Sequence, residues 1–118
     1  MSKLAQETCV ACRGDSARLT ETEITTLHIM VPTWDLIVEN GVKKLSRIFG
    51  FPNFSRAMEF TDAIGTMSES EGHHPRLITE WGRVTLAWWT HKIHGLHRND
   101  FIMASKSESL YKSFLKPT

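Results

Sequence analysis

Residues 69–91 read Glu69-Ser-Glu-Gly72-His73-His74-Pro75-Arg-Leu-Ile-Thr-Glu-Trp81-Gly82-Arg83-Val-Thr-Leu-Ala-Trp-Trp-Thr-His91, and this stretch decides the fold. It begins as a helix end, because Gly72 offers the left-handed conformation with which helices commonly close. Pro75 cannot continue a helix, and it holds His74 extended. From Leu77 the period changes. Leu77-Ile78-Thr79 leads through Glu80-Trp81-Gly82 into Arg83–His91, the longest strand-like run, so a hairpin is expected here. Side chains alternate along a strand. Val84, Leu86 and Trp88 therefore form the core face. Arg83, Thr85, Ala87, Trp89 and His91 lie on the other, and His91 is predicted to point away from the main core.

Working upstream, Asn53 is suited to cap a helix. Phe54, Ala57, Met58, Thr61, Ile64 and Met67 or Ser68 follow at the spacing of one apolar stripe. Before that helix, Trp34, Leu36 and Val38 alternate with Asp35, Ile37 and Glu39. Asn40-Gly41 suits a two-residue type I′ turn, and Val42–Phe49 returns as the second strand. Thr20-Glu-Thr-Glu23 is a capping box, and Pro32 stops the short helix that it opens. Downstream, residues 92–99 read as a loop. A last helix starts near Asn99-Asp100, where a carboxylate suits the positive end of the helix dipole. It runs through Phe101, Ala104, Leu110 and Phe114.

The order α-β-β-α-β-β-α predicts an α+β, two-layer sandwich: a four-stranded antiparallel sheet with three helices on one face. Residues 1–18 show no periodicity and read as a flexible arm. Residues 19–118 read as one domain, as a chain of 118 residues allows. A formal net charge of +1 gives no basic stripe for nucleic acid, and no apolar run approaches the length of a membrane span. The N-terminus lacks the apolar segment of a signal peptide, so a cytoplasmic protein is expected. Cys9 and Cys12 form a Cys-x-x-Cys pair without the second ligand pair of a zinc knuckle or the strand-to-helix setting of a redox motif, so a reduced pair is expected.

The chemistry rests with the histidines. Three of the six, His73, His74 and His91, stand at element ends. Composition and spacing leave three readings open. Three imidazoles could hold a catalytic zinc, although an extended His-His pair points to opposite sides. They could be structural or solvated. They could also act as metal-free acid and base groups, since imidazole titrates near neutral pH. No nucleophile elbow, phosphate loop or dinucleotide fingerprint is present.

A wider pattern goes beyond composition. Glu69-x-x-x-His73-His74-Pro75, then Trp81-x-x-Val84, Trp89-Thr90-His91 and Gly95-Leu96-x-x-x-Asp100, resembles the signature of the pterin-4a-carbinolamine dehydratases. The likeness extends upstream to the Trp34 hairpin and to Phe49-x-Phe51-x-x-Phe54, and it is greatest to the bacterial branch that works beside phenylalanine hydroxylase. The resemblance implies dehydration of 4a-hydroxytetrahydrobiopterin to quinonoid dihydropterin, which recycles the cofactor of aromatic amino-acid hydroxylation. It implies histidine acid-base catalysis with no metal and no cofactor. His73 and His91 would be the principal acid-base pair, with His74 orienting or sharing the proton transfer. Glu69 and Trp34 would help bind the pterin, and Asp100 would support the site from the last helix.

It also implies self-association as a homodimer or homotetramer, with phenylalanine hydroxylase as a further partner. Animal relatives serve as dimerisation cofactors of a transcription factor, so an interaction protein is the rival reading, and a pterin-binding module of molybdopterin metabolism is a third. Two departures stand out. Gly72 replaces the acidic residue that many animal members carry before the histidine pair. Asn99 stands where some members have Arg, with Arg98 one residue earlier.

Overall fold

The computed structural model describes residues 3–10 and 17–115. Seven principal elements follow the expected order. They are α1 (Glu21–His28), β1 (Asp35–Glu39), β2 (Val42–Gly50), α2 (Phe54–Glu71), β3 (Arg76–Glu80), β4 (Arg83–Trp88) and α3 (Arg98–Leu115). The strands form one antiparallel sheet in the order β1-β2-β4-β3. The fold is α+β.

Local chemistry sets the ends of these elements. Thr20 and Glu23 close a full capping box, each side chain accepting the other residue's amide. Asn53 Oδ1 accepts the Arg56 amide at the start of α2. Asn40 and Gly41 both take positive φ, 52° and 77°, and so close the β1–β2 hairpin in two residues.

Register places Leu45 and Phe49 of β2 on the same sheet face as Val84, Leu86 and Trp88 of β4. All five are buried in one core with Ala57, Phe60 and Ile64 of α2 and Phe101, Met103 and Ala104 of α3. The opposite face leaves Ile48 and Ile78 exposed.

Three expectations shift. The buried stripe of α2 is Ala57, Phe60, Ile64 and Ser68, whereas Phe54 and Met58 are exposed. Phe60 wins because its ring reaches Phe49, Phe51, Tyr111 and Phe114, with centroids 5.0–5.8 Å away. β4 ends at Trp88 instead of running to His91, because Thr90 pairs across a loop with Gly95 and His91 opens a single 3-10 turn.

The third shift concerns the N-terminal residues. Residues 3–10 lie along α3, with Leu4 fully enclosed in the core and Lys106 Nζ donating to the Ala5 carbonyl at 2.9 Å. Glu7 takes two hydrogen bonds from Arg98, at 2.9 and 2.6 Å. A segment expected to be loose is therefore docked over these residues, through partners 91 to 101 positions away. Cys12 lies outside the described residues.

Candidate active site

Gly72 ends α2 at φ 67°, ψ 28°, a conformation open to glycine and strained for an L side chain. The turn brings the His73 amide back to the Ser68 carbonyl, 3.2 Å away, and directs the next side chain inward. His73 is buried, its ring parallel to Trp88 at 5.8 Å. Its Nε2 lies 2.6 Å from Asp100 Oδ1.

Asp100 is fully enclosed in the first turn of α3. Its second oxygen, Oδ2, accepts from the Thr90 hydroxyl at 2.8 Å and from the His97 amide at 2.9 Å. With both of those donors on Oδ2, an ionised Asp100 leaves Oδ1 to accept from His73 Nε2, which then carries the proton. A neutral His73 then has its lone pair on Nδ1, which makes no hydrogen bond among the described residues. Asp100 thus sets both the tautomer and the ring orientation. Both of its oxygens are occupied by protein partners.

The other side of the site comes from the end of β4. Thr90 and Gly95 exchange backbone bonds of 2.9 and 3.4 Å, and the turn between them carries His91 outward. A Cβ at Gly95 would come within 2.8 Å of Arg18 Cδ, so a larger residue there would displace that side chain. The His91 ring is exposed and rests on Trp89, centroids 4.4 Å apart. Lys44 Nζ lies 3.9 Å over the same indole from the opposite sheet face, with the Arg76 guanidinium at 5.6 Å. Glu39 accepts from both cations at 2.9 Å, and they hold its carboxyl down at about 2. Two cations therefore hold Trp89, which steadies the surface on which His91 rests.

His73, His74, Thr90 and His91 line one cleft of about 450 Å³, together with Gly72, Lys92 and Val10. That volume suits a small bicyclic ligand. The structure thus brings the three predicted histidines together, and Asp100 stands directly behind them. Glu69 is peripheral: its carboxylate is mostly exposed and lies 3.4 Å from His74 Nε2, a solvated pair of little energetic weight. Trp34 is not brought to the cleft. It is buried in the core, edge-on to Phe49 at 5.7 Å.

The other histidines have different occupations. His28 Nε2 lies 2.6 Å from the Trp34 carbonyl, and His97 Nδ1 accepts the Asn99 amide at 3.0 Å, capping α3. Among the described residues, no group of three or more His, Cys, Asp or Glu side chains is arranged to hold a metal ion. Sequence reasoning assigned no part to Thr90, Trp89 or Val10. Thr90 and Trp89 stood inside the quoted motif beside His91; Val10 carried no signal at all.

The fold and the site together define a class: a small α+β domain presenting an aspartate-held histidine with two further imidazoles in an open cleft. Residues 17–110 match the family model described as "Pterin 4 alpha carbinolamine dehydratase", and the chain belongs to that family. Two proteins bearing the name "Putative pterin-4-alpha-carbinolamine dehydratase" are similar over nearly the whole length. The one from Marinobacter nauticus is 50% identical over 111 residues, covering 94% of this chain and 100% of its own. That from Nitrosococcus oceani is 49% identical over 112 residues, covering 95% and 99%.

Among solved structures, a transcriptional coactivator/pterin dehydratase from Brucella melitensis superposes with a TM-score of 0.73 at 28% identity, over 80% of this chain and 99% of that one. A pterin dehydratase-like protein identified as a RuBisCO assembly factor in the alpha-carboxysome shares the fold, with a TM-score of 0.58 at 20% identity over 67% and 89%.

Proposed function

We propose that this cleft dehydrates 4a-hydroxytetrahydrobiopterin to quinonoid dihydropterin and water. The observation behind this reading is that His73, held from behind by Asp100, stands in one cleft with His74 and His91. In the reaction a base removes the proton on ring nitrogen N5, and that electron pair forms the C4a–N5 double bond. The C4a–O bond breaks as an acid delivers a proton to the departing oxygen, which leaves as water. Two positioned imidazoles meet both needs without a metal.

His73 is the base, through Nδ1, because Asp100 stabilises the imidazolium that forms. His91, exposed at the cleft mouth, gives the proton to the leaving hydroxyl. His74 orients the ring, with Glu69 beside it. The product is what a reductase serving aromatic amino-acid hydroxylation consumes, which makes phenylalanine hydroxylase the natural metabolic neighbour and the cytoplasm the natural setting. No helix among the described residues is long and apolar enough to cross a membrane.

The test is dehydration of synthetic 4a-hydroxytetrahydropterin followed by stopped-flow absorbance. Acceleration well above the uncatalysed rate is expected, unchanged by chelator; no acceleration rejects the reaction, and loss with chelator rejects the metal-free route.

A self-associating protein is part of the same reading. Edge strand β1 leaves Leu36 and Val38 exposed, with Ile29 and Met30 of the α1–β1 connection also exposed. An uncovered apolar edge of this kind favours pairing with a second copy. Light scattering should give a mass of at least twice the chain, reduced by Val38→Lys. The name of the Brucella relative lends support to a second reading, a coactivator role; it would need that same surface and not the histidines.

A further inference from the structure

Residues 3–10 form a strap that reaches the cleft at Val10. Its anchors along α3 are Leu4 in the core, the Lys106–Ala5 bond and the Arg98–Glu7 pair. Nearer the site the Cys9 amide donates to Glu71 Oε1 at 2.9 Å, on the last turn of α2. The buried Asn99 side chain then grips the backbone of Val10 from both sides. Its Oδ1 accepts the Val10 amide at 3.1 Å, and its Nδ2 donates to the Val10 carbonyl at 2.8 Å. A two-point amide clamp of this kind satisfies a backbone segment that has no strand partner.

The clamp fixes where the Val10 side chain lies: exposed, on the wall of the cleft that His73, His74 and His91 also line. Asn99 is the residue next to Asp100, so one turn of α3 holds both the base and the strap. The family match begins at residue 17, so the strap lies outside the matched residues.

We propose that Val10 is a substrate-contacting residue that packs against the saturated C6–C7 edge of a 6-substituted tetrahydropterin, and that Asn99 is the positioning residue that holds it there. The inference rests on the dehydratase reading for its ligand. An isopropyl group offers no hydrogen bond, so it belongs against the part of the bicycle with the least hydrogen-bonding capacity. That part is the C6–C7 edge, bonded directly to the N5 from which the base takes its proton. A wall at this edge discriminates by the size of the C6 substituent.

The experiment measures turnover of the 4a-hydroxy form of 6-methyltetrahydropterin and, separately, anaerobic equilibrium binding of 6-methyltetrahydropterin itself, which has no 4a-hydroxyl to lose, followed by tryptophan fluorescence. Val10→Gly removes an exposed side chain and leaves the clamp intact. It is expected to raise KM and the tetrahydropterin Kd together by about 5-fold, with kcat within about two-fold, the signature of lost uniform binding. The effect should shrink for the pterin with no C6 substituent. Asn99→Ala should raise both constants at least as much. If the wild type turns over and Val10→Gly changes neither constant, the strap inference falls and the dehydratase stands. If turnover is absent while tetrahydropterin binding weakens in Val10→Gly, the reaction falls and the strap contact stands. If the wild type neither turns over nor binds, both fall.

Discussion

The two ends of α3 are built on opposite principles. At the N-terminal end Asn99 and Asp100 are buried polar groups, and each oxygen and amide nitrogen of their side chains has a named partner. At the C-terminal end Tyr111 and Phe114 join Phe49, Phe51 and Phe60 in an aromatic box, with centroids 4.8–6.2 Å apart. Arg47 and Arg56 cover the box at 4.5 and 4.8 Å.

Aromatic packing is non-directional enough to tolerate small shifts and supplies stabilisation by area. A carboxylate with three donors tolerates almost none, and losing one leaves a buried charge short of a partner. The helix therefore divides its labour. One end holds the domain together, and the other holds one imidazole in one tautomer.

Substitutions at the two ends should separate these roles. The largest effect is expected from His73→Ala and His91→Ala, each lowering kcat by roughly 10²–10⁴-fold, the range for a lost acid or base group; either variant that folds and keeps near-full activity breaks the assignment. Phe60→Ala, in the aromatic box, should cost about 3–5 kcal/mol in urea unfolding. Activity per folded molecule should stay within about two-fold, so a collapse of kcat there would erase the contrast between the ends.

Asp100→Asn sharpens the polar end. Its amide can face Nε2 as a donor, which would move the His73 proton to Nδ1, and kcat should fall about 10²-fold. Nitrogen-15 chemical shifts of His73 should report the exchanged tautomer, and an unchanged tautomer would count against the hydrogen-bond argument.

The smallest effect lies with the strap. Burial, with the Glu71 carboxylate nearby, pushes the Cys9 thiol up to about 12 from 9.0. A raised acid favours folding in its neutral form, so this contribution is complete below pH 9 and fades between about 9 and 12. In a Cys12→Ser background, Cys9 should resist iodoacetamide at pH 8 and gain reactivity as the strap loosens at higher pH. Rapid alkylation at pH 8 would show that the thiol is not held in the strap.

Much of the polar end was legible in the sequence because its signals are local. Gly72 and the Thr20–Glu23 box each specify a backbone conformation within four residues, and both are found as read. The resemblance brought His73, His74, His91 and Asp100 forward together, and the fold gathers them. Other features depended on partners far along the chain. From Ala57 an α2 stripe through Phe60 is as regular as one through Met58, and only the rings of Phe49 and Tyr111 choose between them. Trp34 alternates like a strand residue but sits just before β1 in the core. The strap has one enclosed apolar residue, Leu4, and otherwise relies on hydrogen bonds from residues 62 to 101 positions away, so it leaves no periodicity to read.

Asp100 also bears on how the site resets. Because it is sealed from the cleft and both its oxygens are taken, His73 has one open port for proton traffic, its Nδ1. Each turnover under the proposed scheme leaves an extra proton on His73 and one too few on His91. Nothing can drain away behind the ring, so the return trip must cross the same cleft that the pterin has just left. The released water molecule is the nearest carrier for it. On that account His73 sheds its proton only while the pocket is empty, and a ligand that lingers there would hold back that proton as well as the next substrate.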